Sequence, residues 1–400
     1  MHGKQLRGKR LPTHFTLACR HQSRLFSRLV SSQIRLVVAL VLFNAVLSGL
    51  VKAGAPDQPA RSDRTEYDFN TDHPFSADCN NSLYCFRVLD PLVLGLIPAE
   101  SESRWRGQQW LAHTATGTLT ALFSAEFASP WIVSVMVQTS YGLTFAAYDP
   151  YTPDPVIFVL AALVLRFWMT DRAYLVTLIG LLGIFAKETV ALLVSAPALA
   201  VMYDRTLRQR WRWLVPAASA WVTLGVFHGF MGHYFGWTIS KNAAASFSTG
   251  SWLAIWWKAN PLSMKALMVF APYGFGWIFA ALGFRHAPAP VRSLAIGFIL
   301  PLAALVFVQT PERALGNAFF VVVPLAAAWL SQIPATVAWL AVITNALLTT
   351  RVGLSTEALP STTRLLQPAT IAAAIALVAY ARTHRSNSPA AVSLARGRGQ

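Results

Sequence analysis

Apolar runs near the ~20 residues that a helix needs to cross a bilayer recur from Ile34 onward, separated by short polar blocks. The first run, 34–51, predicts a span. Later runs predict further spans at 109–125, 130–147 and 213–233, with more toward the C-terminal end. Continuous apolar runs such as 298–308 contradict a barrel, whose strands alternate inward and outward residues. The stretch 148–189 has its own pattern. It opens with Tyr-Asp-Pro-Tyr-Thr-Pro-Asp-Pro, continues as the apolar run 156–164, and turns at a polar knot from Arg166 to Arg172. A second apolar run, 173–186, ends at Lys187-Glu188-Thr189. As a helix out and a helix back, it brings Asp149, Asp154, Lys187 and Glu188 to one end.

The apolar stretch 173–203 carries Lys187-Glu188 at its middle. As one helix it would be ~46 Å long and hold two charges at mid-bilayer. As a hairpin each arm is ~21 Å, shorter than the ~30 Å hydrocarbon core, so the crest sinks below the membrane surface. The hairpin is favoured because it keeps the charges out of the lipid. A shorter run, 88–98, is flanked by Arg87 and Glu100 and predicts a helix lying in the interface.

Composition agrees with the pattern. Hydrophobic residues make up 54% of the 400 and charged residues 12%, which is a polytopic all-α membrane protein rather than a soluble one. The formal charge of +16 would suggest nucleic acid in a soluble chain. Here it reports orientation, and no nucleic-acid partner is expected. Lys4, Arg7, Lys9, Arg10, Arg20, Arg24, Arg28 and Arg35 stand at the start with no acid among them, and by the positive-inside rule that end stays in the cytoplasm. The basic run is too long for a tidy signal peptide, so 34–51 is read as an uncleaved span.

Counting from there puts nearly every arginine cluster inside and predicts about twelve spans with both termini in the cytoplasm. The domains are then a basic tail (1–33), a membrane domain (34–381) with its first outer loop at 52–108, and a second basic tail (382–400). The ends, 1–30 and 385–400, are expected to be disordered.

Cys79 and Cys85 lie in the acidic outer loop. If that loop faces an oxidising compartment, a bridge across 80–84 and a pair of free thiols are both open. Metal binding by the pair is disfavoured, because no His or further Cys stands at zinc spacing.

Several short motifs together resemble the GT-C type of membrane glycosyltransferase: a long acidic first outer loop, a short outer loop reading Asp-Pro at a helix start, and a helix ending in Ala-Lys-Glu-Thr (186–189). Pro311-Glu-Arg313 before an apolar run is similar as well, and so is Phe86-Arg-Val-Leu-Asp-Pro91 to the Arg-x-Leu-x-Pro element of many bacterial members. The resemblance implies transfer of a sugar from a polyprenyl-phosphate carrier to a glycan, lipid or protein acceptor. The work would be done on the extracytoplasmic face of the inner membrane. It also implies that an acidic residue of the first outer loop is the base. Asp68 and Asp72, in Glu66-Tyr-Asp-Phe-Asn-Thr-Asp-His, are the candidates, although the adjacent acidic pair usual in that family is absent.

An acceptor hydroxyl needs a carboxylate within hydrogen-bond reach, and a departing lipid phosphate needs cationic donors. Lys187, Arg313 and Arg87 are the candidate phosphate ligands, with Asp154 and Glu188 beside them. Each has a plainer alternative: Asp68 and Asp72 as solvated loop acids, Asp154 as a helix cap, Lys187 as a snorkelling lysine, Glu188 as a cap and Glu312-Arg313 as a local pair. Asp149 is read as a cap or turn residue. His228 and His233 are expected to pack rather than bind metal, and Trp252, Trp256 and Trp257 to form an interfacial belt. No Walker loop, dinucleotide fingerprint or serine elbow stands in a supporting context. No cofactor is assigned, and a divalent cation beside the carboxylates is left open.

The competing function is a transporter or lipid flippase, since intramembrane charge also suits substrate passage. Its mark would be polar residues at mid-depth in both halves. A polysaccharide polymerase or ligase ranks third, because the late outer loop 351–367 carries only Arg351 and Arg364. A purely structural membrane protein would leave the outer acids freely replaceable.

Overall fold

The computed structural model describes residues 14–53, 62–79, 82–203, 211–237, 261–306 and 311–352, and among these there is no strand. The expectations for 1–13, for Trp252, Trp256 and Trp257, for the late loop 353–367 and for the C-terminal tail lie outside the described residues. The helices are α1 (His14–Ala53), α2 (Ser62–Asp72), α3 (Ser82–Cys85), α4 (Leu89–Gly95), α5 (Ser101–Ser124), α6 (Pro130–Gln138), α7 (Tyr141–Tyr148), α8 (Asp154–Met169), α9 (Ala173–Gly183) and α10 (Val190–Tyr203). They continue as α11 (Leu214–Phe235), α12 (Leu262–Phe270), α13 (Gly276–Gly283), α14 (Ala289–Val306), α15 (Pro311–Leu315), α16 (Phe319–Leu330) and α17 (Ala335–Val352). A single 3-10 turn, Gly316–Ala318, joins α15 to α16.

Among the described residues, four helical stretches are long and apolar enough to cross a membrane: Ser32–Ala53, Trp211–Phe235, Ala289–Val306 and Glu312–Leu330. Three shorter apolar helices accompany them. The chain is thus an all-helical protein of membrane type. The surfaces agree: Leu42, Val46 and Leu50 on α1, Val222 and Val226 on α11, and Ile299 and Leu300 on α14 all point outward. Large side chains of this kind left bare suit lipid, which is as apolar as they are. In contrast, every residue of α16 is buried, and it packs against α13, α14, α6 and α8. It is the central post of the bundle.

The predicted hairpin is present. α9 and α10 pack against each other, and residues 184–189 turn between them through Lys187 N–H to Gly183 C=O at 3.0 Å and Val190 N–H to Lys187 C=O at 3.1 Å. With 11 and 14 residues, the arms are about 16 and 21 Å long, well short of a full bilayer core. A Cβ at Gly183 would come within 2.8 Å of Val190, so the arms can meet there only around glycine. Within the run 88–98 a short helix is present, α4.

Two elements differ from expectation. The span predicted at 130–147 is two helices, α6 and α7, broken at Thr139–Ser140. The hydroxyls of Thr139 and Ser140 fold back onto the Val135 and Val137 carbonyls at 2.8 and 2.7 Å. Such local bonds compete with helix continuation, and the Tyr141 N–H is taken instead by the Pro272 carbonyl at 3.1 Å. The basic N-terminal segment is helical from His14 and continuous with the first span, because no proline or glycine interrupts it before Gly49.

Candidate functional site

The start of α8, the hairpin crest and the start of α15 come together at one end of the bundle, and each supplies a charge. Asp154, in the first turn of α8, makes no capping bond. Its Oδ1 accepts from the Lys187 ammonium, and its Oδ2 accepts from Arg313 Nε at 2.5 Å. The side chains of Asp154, Lys187 and Arg313 are only 3%, 11% and 15% exposed. Arg313 also donates to the Thr152 hydroxyl, and its guanidinium lies 4.9 Å from the centre of the Phe145 ring. The break before α7 and the short link 149–153 place Phe145 and Thr152 there.

A second pair sits beside the first. Arg87 donates to both Glu188 oxygens, at 3.1 and 2.6 Å, the paired geometry that a planar guanidinium favours. Its remaining nitrogen donates to the Tyr67 hydroxyl at 3.2 Å, and its charge lies 5.4 Å from the Tyr84 ring centre. Burial pushes the Tyr67 phenol well above its ordinary range. The segment is fixed to the crest by the Leu89 N–H, which donates to the Phe185 carbonyl at 2.9 Å. Two residues before Arg87, Cys85 is bonded to Cys79. Around them Phe86, Phe227, Met231 and Trp237 form an apolar cluster, and His228 stacks on Phe86 at 4.0 Å.

Five of the candidates read from sequence, Arg87, Asp154, Lys187, Glu188 and Arg313, therefore converge. In the first group two cations share one carboxylate, and the charge of Asp149 acts on Arg313 as well. An ammonium carries three donors and a guanidinium five, so Lys187 and Arg313 can bind further anionic oxygens without releasing Asp154. That is the chemistry a phosphate needs.

Asp68 and Asp72 lie elsewhere. Asp68 accepts from Ser101 Oγ at 2.5 Å and stands 3.8 Å from Arg64. Asp72 is 61% exposed and 3.6 Å from Arg104. Neither is hydrogen-bonded to the buried group. Among the described residues no cluster of three His, Cys, Asp or Glu could hold a metal ion.

Sequence reasoning passed over three participants: Tyr67, Thr152 and Asp90. The signal for Asp90 was an acid inside the otherwise apolar run 88–98. It is 2% exposed and accepts from Gln108 Nε2 at 2.5 Å. Also unforeseen is a buried polar seam where α1, α5 and α6 meet. Asn44 donates to Ser134 Oγ at 3.0 Å, and Gln138 donates to Asn44 at 3.2 Å and to the His113 carbonyl at 2.7 Å. Gly117 makes room for it, since a Cβ there would fall 2.0 Å from Asn44. Compared with protein-family models, curated proteins and solved structures, the chain matches none.

Proposed function

We propose that this protein is a GT-C-like membrane glycosyltransferase that moves a sugar from a polyprenyl-phosphate carrier to a glycan, lipid or protein acceptor. The supporting observation is the buried grouping of Lys187 and Arg313 on Asp154 at the hairpin crest, whose short arms set it below the membrane surface in this reading. Polyprenyl carriers lie in the bilayer, so their phosphate arrives at that depth. Lys187 and Arg313 hold the phosphate oxygens and stabilise the charge that grows as the sugar leaves. Asp154 keeps the two cations in place without a ligand. Arg87 and Glu188 brace the crest, and the Cys79–Cys85 bond fixes the backbone beside Arg87. In this reading the chain crosses a bacterial inner membrane about twelve times with both ends in the cytoplasm, and the crest faces outward.

Mass spectrometry of lipids that co-purify with wild type and Lys187→Ala tests the reading. Polyprenyl phosphate retained by wild type and lost in the variant is the expected result. Ordinary phospholipids alone in both samples would overturn it.

A transporter is the second reading, and the seam of Asn44, His113 and Gln138 supplies its polar residues in the first half of the chain. His113 stands midway along α5, and ionisable residues at such depth commonly mark a substrate or proton path. Uptake into proteoliposomes without chemical change of the substrate would favour it over the transferase.

A further inference from the structure

Arg313 stands on a helix of only five residues, α15, and a helix does not supply partners for its own last carbonyls. The chain leaves α15 through Leu315 and enters the 3-10 turn at Gly316. Both of these carbonyls accept from the Tyr273 hydroxyl, at 3.1 and 2.6 Å. The Gly316 carbonyl also receives the Phe319 N–H, so the phenol is its second donor. Tyr273 is 2% exposed and comes from a distant part of the chain, the link 271–275 between α12 and α13.

That link is itself held from two sides. The Pro272 carbonyl takes the Tyr141 N–H ahead of α7 at 3.1 Å, and the Phe275 N–H donates to Asn345 Oδ1 at 2.8 Å. Gly274 between them has a φ of +53°, the left-handed region that favours glycine. One turn beyond Asn345 on α17, Thr349 donates to the Thr139 carbonyl at 2.8 Å, at the break between α6 and α7. α17 therefore ties the α6–α7 break and the α12–α13 link to one another.

The turn after Arg313 meets α7 on another side. A Cβ on Gly316 would fall 2.8 Å from Gly142 Cα, and one on Gly142 would fall 3.1 Å from Gly316 Cα. Phe145, one turn along α7 from Gly142, is the ring against which the Arg313 guanidinium lies. Two and three residues past Arg313, the backbone is thus gripped by Tyr273 and by Gly142. The grip matters because a guanidinium is a planar fork that binds oxygens only along fixed directions. Asp154 and Thr152 take two of its nitrogens, and the backbone at 313 sets where the remaining N–H groups point.

We propose that Tyr273 is a positioning residue for anion binding: through the Leu315 and Gly316 carbonyls, its hydroxyl aims the Arg313 guanidinium at the phosphate oxygens. The inference rests on the transferase reading and adds how one of its phosphate ligands is held. A shift of the turn leaves the charge of Arg313 in place and spoils its aim. A lysine at 313 behaves differently, because an ammonium is a compact point charge on a flexible stem and needs no aiming.

That difference separates aiming from folding. Binding of radiolabelled polyprenyl phosphate is measured on the full-length protein in detergent for wild type, Tyr273→Phe, Arg313→Lys and the double variant. Tyr273→Phe removes the hydroxyl and keeps the ring that packs on Trp277 at 4.9 Å. Arg313→Lys keeps the charge, and Lys187 remains beside it, so binding stays measurable. Tyr273→Phe is expected to bind about 10-fold more weakly than wild type. In the Arg313→Lys background the same change is expected to alter affinity by less than about 2-fold. Wild-type affinity in Tyr273→Phe overturns the proposal. So does an equal loss in both backgrounds, which is what a general loosening of the fold produces. In either case polyprenyl phosphate still binds the wild type, and the transferase reading stands. Should Tyr273→Phe not fold, Gly142→Ala presses the same turn from the α7 side. A loss confined to the protein with Arg313 is again expected, and unchanged binding or an equal loss with Arg313→Lys overturns the proposal. A wild type that binds no polyprenyl phosphate overturns both.

Discussion

Asp154 and Asp72 are both aspartates facing basic side chains, yet one is 3% exposed and the other 61%. Around Asp72 lies a surface lattice, in which Arg64 bonds Glu102 at 3.1 Å, Glu102 also pairs with Arg106, and Arg104 reaches Asp72 at 3.6 Å. Pairs of that kind are worth about 0–1 kcal/mol, because water screens them and long side chains lose freedom in making them. Around Asp154 the same residue types are shut away. Removing one cation there leaves a buried carboxylate oxygen that water does not reach, although the other cation still pairs with Asp154. Identical chemistry is thus adjustable trim in one place and a fixed feature in the other. Burial makes the difference.

The sharpest way to break this comparison is Arg313→Ala. It strands one oxygen of Asp154 and takes one of two donors from the Thr152 hydroxyl, which keeps the Asp154 N–H, and is expected to cost about 3 kcal/mol, read as a large drop in melting temperature in detergent. A drop no greater than that of Asp72→Asn would erase the distinction. Cys79→Ser with Cys85→Ser comes next. Closing so short a loop constrains the unfolded chain by about 2 kcal/mol in the chain-entropy account. Because Arg87 follows two residues later, lipid retention should weaken along with thermal stability. If only stability falls, the disulfide does not help position Arg87. The smallest effect belongs to Asp72→Asn, expected to shift stability by about 0.5 kcal/mol or less. A loss of several kcal/mol in the same melting assay would mean that the surface lattice supports the fold.

Much of the site could be read in the chain. Charges set inside or at the ends of apolar runs are expensive in a membrane, so Asp154, Lys187, Glu188 and Arg313 stood out by position alone, and the hairpin followed from the lengths of its arms. The reading failed where the deciding contact is distant in sequence. Asp68 and Asp72 drew attention as acids among aromatics, but α2 turns Tyr67, not its neighbour Asp68, toward Arg87. Asp90 sat inside the motif 86–91 and was overlooked, since nothing local says that Gln108 meets one of its oxygens.

The sequence by itself determined that the chain is helical and of membrane type, where the hairpin turns, and which few charges lie too deep to be ordinary. Those follow from hydrophobic transfer and helix geometry, which act residue by residue along the chain. Only the tertiary structure decided that Asp154 serves two cations at once, that Arg87 answers Glu188, and that the helix predicted at 130–147 breaks at Thr139–Ser140. Each depends on a partner from another helix, as Pro272 takes the Tyr141 N–H. A hydrogen bond between residues far apart in the chain leaves no mark in the local pattern of either one.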